Sequence, residues 1–162
     1  MTLPAWHALL APIPDDARPS RQPVGSAEIL ATPAGAAIAG WEQLVLELSM
    51  GSLGHRVVLV VLDRSGTVIS ASDSVLCRYE FAEPSSLRGN PVSPVEILHE
   101  SVGGRFEQDG TFRGTRWRLV APEPAEGEEP QWESTATEPS AADVAALRAL
   151  VAQLLERRPP RT

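Results

Sequence analysis

The stretch from Thr32 to Met50, TPAGAAIAGWEQLVLELSM, decides between two folds. Thr32 offers a hydroxyl for an N-cap, and Pro33 suits the first helical position. Ile38, Trp41, Leu44, Val45 and Leu48 then recur at helical spacing, with Glu42, Gln43 and Glu47 elsewhere on the wheel. The same segment also reads in steps of two, because Leu44, Leu46, Leu48 and Met50 alternate as in a strand. The capping signals agree with the helical period, so the sequence favours one helix closed by Gly51-Ser52-Leu53-Gly54.

Downstream the pattern is that of strands. Val57-Val58-Leu59-Val60-Val61-Leu62 is a β-branched run with the look of a strand buried on both faces. Asp63-Arg64-Ser65-Gly66 turns the chain. The return strand alternates Ile69, Ala71, Val75, Cys77, Tyr79 and Phe81 against Ser70, Ser72, Ser74, Arg78 and Glu80. Asp73 falls in the apolar phase, which calls for a bulge near Ser72–Ser74 or a buried polar group. After a Pro-rich loop, Asp109-Gly110 marks a second hairpin. A two-residue turn there sets Gln108 opposite Thr111, Phe106 opposite Arg113 and Val102 opposite Trp117. Val102, Phe106, Trp117 and Leu119 then form the core face, and Gly103-Gly104 marks a bulge.

The two ends differ in character. Residues 1–32 carry five prolines and no sustained period, which describes an extended arm in which Ser26–Ala31 adds a possible strand. Residues 33–121 form the patterned domain. Residues 122–139 hold six glutamates and no cation, a composition expected of a flexible linker. Residues 140–158 open with Ser140 and Asp143 as a capping box and continue as a helix with an apolar stripe of Val144, Leu147, Val151, Leu154 and Leu155. The expected fold is therefore α+β: an antiparallel sheet of four to five strands packed on a helix, followed by an acidic linker and a C-terminal helix. This order resembles the cystatin-like and NTF2-like arrangement, in which a curved sheet wraps a helix.

Composition excludes several function classes. The formal net charge of the 162 residues is −7, and all fourteen basic residues are arginine. With a single asparagine and abundant alanine, the missing lysine reads as codon bias. The acidic excess argues against binding nucleic acid through phosphate neutralisation. No apolar run is long enough to span a bilayer, and no basic region precedes an apolar core at the start, so a cytoplasmic location without membrane contact is expected. One cysteine, Cys77, allows no internal disulfide and no multi-cysteine metal site. Neither a metal nor a cofactor is expected.

Few residues stand out for chemistry. His7, His55 and His99 lack metal-ligand spacing; His99-Glu100 is the one adjacent His–carboxylate pair, but strand neighbours point to opposite faces. Asp73, Tyr79 and His99 are the catalytic candidates, since a buried aspartate with a raised pKa can serve as a base in a cavity. Arg105, Arg116 and Arg118 share one face of the expected hairpin, with Arg113 on the other, and can hold a carboxylate or the acidic linker. Leu147, Val151 and Leu154 would let the C-terminal helix enter a partner's groove. The expectation is a non-enzymatic protein-binding or assembly module, self-association included, acting through this helix and the arginine face. The alternative is an NTF2-like small-molecule enzyme or ligand carrier with a cavity lined by Asp73 and Tyr79.

Overall fold

A computed structural model of the chain describes residues 12–49, 54–80 and 95–160, with Tyr79, Glu80, Val95 and Glu96 placed by their backbone alone. The described chain runs β1 (Ser20–Pro23), the single helical turns α1 (Ala27–Leu30) and α2 (Pro33–Ala36), then β2 (Glu42–Ser49), β3 (Gly54–Leu62) and β4 (Val68–Glu80). It continues with β5 (Val95–Phe106), β6 (Phe112–Pro122), β7 (Glu133–Thr137) and helix α3 (Ala141–Glu156). The strands form one antiparallel sheet whose spatial order is the order of the sequence, β1 to β7. The class is α+β with an antiparallel sheet, and the described residues form seven strands in place of the four to five expected. None of the described helices is long and apolar enough to cross a membrane.

The segment that favoured a helix divides in two. The Thr32 cap forms as expected, its Oγ1 accepting from the Gly35 amide at 3.0 Å, with Pro33 opening α2. The helix ends after one turn, and Glu42–Ser49 is a strand. The reason lies in the partner: Leu44 pairs with Val60 and Leu46 with Val58, and all four are buried. Only a period of two brings Leu44 and Leu46 to the same face. The helix that the cystatin-like and NTF2-like order requires inside the sheet is therefore absent from this position. Within Ser26–Ala31 the chain forms the helical turn Ala27–Leu30 rather than a strand, with the Ser26 hydroxyl as its cap accepting from the Ile29 amide. The strand of this N-terminal region is β1, paired with β2.

Both expected hairpins form, and their turns are alike. The Gly66 amide donates to the Asp63 carbonyl at 3.0 Å, and that of Gly110 to the Glu107 carbonyl at 2.9 Å. Both glycines sit at positive φ, +85° and +87°, so each loop has three residues, a type I turn followed by a left-handed glycine. The extra residue moves the β5–β6 register by one. Phe106 faces Phe112, Val102 faces Arg116, Ser101 faces Trp117 and Glu100 faces Arg118. Trp117 and Leu119 thereby leave the core face, and Trp117 is 50% exposed. No bulge occurs at Asp73 or at Gly103-Gly104, which stay in register; the irregularity falls between Val61 and Leu62. The glycines serve close approach instead, since a Cβ on Gly104 would lie 2.2 Å from the Arg113 carbonyl oxygen.

Helix α3 closes one face of the sheet. Its capping box is complete: Ser140 Oγ accepts from the Asp143 amide at 3.1 Å, and Asp143 Oδ2 accepts from the Ser140 amide at 2.9 Å. Leu147, Leu150, Val151 and Leu154 join Leu44, Leu46, Val58, Val60, Leu62, Ala71 and Val102 in one buried cluster. The docking is thus intramolecular. On the outer face Val57, Leu59 and Val61 are half-buried, and Leu76 and Trp117 are exposed. The acidic stretch expected to be a linker contains β7, whose five residues pair with Arg116–Val120 and are all exposed.

Candidate functional site

The polar side chains of the helix-covered face form a row of ion pairs. Arg56 lies opposite Val75 in the β3–β4 ladder, which makes Asp73 its diagonal neighbour on the same face. Arg56 Nε donates to Asp73 Oδ1 at 2.9 Å and its Nη2 to Oδ2 at 2.7 Å. Arg56 is 5% exposed and Asp73 is fully buried. Two strands further, Glu100 is buried opposite Arg118 and diagonal to Arg116. Its Oε1 accepts from Arg116 Nε at 2.7 Å and from Arg118 Nη2 at 3.0 Å. Asp143, from the first turn of α3, comes within 3.8 Å of Arg116 Nη1. Among the described residues, three guanidinium groups thus meet three carboxylates in this row.

Burial pushes the Asp73 carboxyl above its ordinary value, and hydrogen bonding and charge from Arg56 pull it partly back. Both of its oxygens are nevertheless engaged by one guanidinium, which commits the carboxylate to Arg56. Cys77 is buried, and burial followed by the nearby Glu100 charge pushes its thiol up, the reverse of what activates a nucleophile. His99 lies on the outer face, its Nε2 3.0 Å from Ser74 Oγ, while Glu100 points into the opposite face. The two do not form a dyad. Tyr79 is described by backbone only, opposite Glu96, and its side chain lies outside the described residues, as does His7. Asp73 and His99 are therefore on opposite faces of the sheet. Among the described residues no three His, Cys, Asp or Glu side chains gather as a metal ion would need.

The expected arginine face also separates. Arg116 and Arg118 turn inward to Glu100, whereas Arg105 faces Arg113 across the outer side of the hairpin. The one-residue register shift is the cause. The acidic stretch does reach an arginine, but a different one: Glu123 Oε2 lies 2.8 Å from Arg78 Nη2 at the surface. Leu147, Val151 and Leu154, expected in a partner's groove, are interior residues.

Sequence reasoning missed the two sheet edges. β1 is short, begins after the buried Pro19 and ends in Pro23, and its Arg21 is tied to Glu42 at 2.5 Å. β7 reads Glu-Ser-Thr-Ala-Thr, without proline or a basic residue. Its signal was the pair of β-branched residues Thr135 and Thr137, two apart inside an acidic context. Trp117 is the register partner of Ala136, so an exposed indole stands beside this edge. The fold and the polar row define a single-sheet α+β meander closed on one side by its last helix and open at one edge. No protein-family model matches the chain, and neither a curated protein nor a solved structure matches it.

Proposed function

We propose that this chain is a non-enzymatic, cytoplasmic binding and assembly module, and that it pairs with a second copy of itself through the β7 edge. The observation that carries this reading is an exposed edge strand free of proline and basic residues, beside an exposed tryptophan. An edge presents a row of backbone donors and acceptors, and strand addition is a common way to satisfy them. β7 is self-complementary in the antiparallel sense. With the two-fold axis at Thr135, Ser134 meets Ala136 of the second copy and Glu133 meets Thr137, so no like charges oppose each other. β1, capped by prolines, does not offer the same surface. The buried carboxylates support the non-enzymatic side, because each already has its guanidinium partner. The alternative of an NTF2-like catalyst or carrier rests on Asp73, whose burial favours it and whose Arg56 pair weakens it.

Light scattering on the full chain tests the proposal. The parent is expected to dimerise with rising concentration. Thr135→Lys places two ammonium groups across the axis and is expected to yield monomer, as is Thr135→Glu through two carboxylates. Mixing the two variants is expected to restore the dimer mass, which a merely misfolded strand would not do. A parent that stays monomeric, or variants that dimerise alone as well as mixed, overturns the reading.

A further inference from the structure

At the opposite side of the sheet from β7, β1 meets the Asp63–Gly66 turn and the chain that follows α3. We propose that this corner is a binding site for a small organic oxyanion carrying two negative charges. A pocket of about 560 Å³ is lined there by Arg21, Arg64 and Arg158, by Leu62 and Pro159, and by Glu42 as the one acid among the described lining residues. Its volume lies within the range of small-molecule sites. In a chain of net charge −7, three guanidinium groups against one carboxylate reverse the local sign.

Two of the arginines are already held in place. Arg21 donates through Nη1 to Glu42 at 2.5 Å and through Nη2 to the Pro159 carbonyl at 2.9 Å. Its Nε is buried and has no acceptor among the described residues. A buried donor without an acceptor is costly, so Arg21 gains from a small shift that brings its Nε to an oxyanion oxygen. Arg64 is fixed by the carbonyls of Ala39 and Ala36 at the end of the helical turns. Such anchoring removes much of the side-chain entropy that binding would otherwise lose. Arg158 is exposed and closes the site from the C-terminal side. Planar guanidinium forks match phosphate and carboxylate oxygens alike, so the shared chemistry is a dianion, either a phosphate monoester or a dicarboxylate.

Calorimetric titration of the full chain at fixed ionic strength tests this, with inorganic phosphate and succinate as probes. At least one probe is expected to bind saturably with one site per chain. Arg158→Gln, a surface change, is expected to weaken it about tenfold or more, the loss of one charge-assisted contact. Arg113→Gln, on the outer face, is expected to leave it unchanged. Binding of phosphate alone assigns a phosphate-bearing ligand, binding of succinate alone a dicarboxylate, and binding of both the charge pattern itself. Absence of saturable binding to either probe overturns the proposal, as does equal weakening by the two substitutions. Because β1 and β7 are opposite edges, this site and the edge pairing stand or fall separately.

Discussion

Replacing Asp73 by valine would roughly keep the volume of the side chain and take from Arg56 its bidentate carboxylate. Removing one partner of a buried ion pair typically costs about 3–5 kcal/mol. Asp73→Val is expected to lose that much in urea unfolding, while adding Arg56→Met recovers most of it. A cost under about 1 kcal/mol for the single change would show that the pair is not desolvated as its burial implies. The pH dependence has an unusual sign. The raised carboxyl of Asp73 takes up its proton at a higher pH in the folded than in the unfolded chain. Its contribution to stability is therefore greatest below the ordinary value of 3.8 and declines as pH rises toward the raised one. The sequence showed Asp73 in the apolar phase of its strand, and that was correct. Its partner was hidden, because Arg56 precedes the apolar run and nothing local ties it to a residue seventeen positions on.

The two Asp-Gly-type turns act in the opposite sense. Asp63 is held below the ordinary carboxylate value first by the Ser65 hydroxyl and then by the Thr67 amide, and Asp109 first by the Thr111 amide. Their contribution is present above 3.8 and is lost as pH falls through the lowered values. Asp63→Asn and Asp109→Asn are each expected to melt below the parent at neutral pH, with the gap shrinking under acid. A gap that stays constant in thermal melts down to about pH 2 would mean that the turn hydrogen bonds are not charge-assisted. Strand existence was legible for β3 to β6, because alternation and turn residues agree there. β2 was not, since Thr32 and Pro33 do start a helical turn and the strand begins only afterwards. The β5–β6 register turned on loop length alone: one residue in the turn sent Trp117 outward and Arg116 inward.

At the scale of the molecule, α3 and the sheet depend on each other. The helix supplies Leu147, Leu150, Val151 and Leu154, and without them Leu44, Val58, Val60 and Val102 would face water. A chain ending at Pro139 is expected to lack a cooperative melt, and Leu154→Ala in the full chain to cost about 2–5 kcal/mol. A truncated chain that still melts cooperatively would show that the sheet stands alone. The apolar stripe was readable from the sequence, but whether it docked at home or elsewhere was not, because periodicity gives a face and never its partner. The strand order adds something about time. A ribosome delivers these strands in the order in which they pair, so each hairpin can close as it emerges. The helix that seals their shared face arrives after all seven. Until it does, the nascent sheet holds a growing row of leucine and valine open to the cell, and a chaperone has its longest opportunity just before the core is finished.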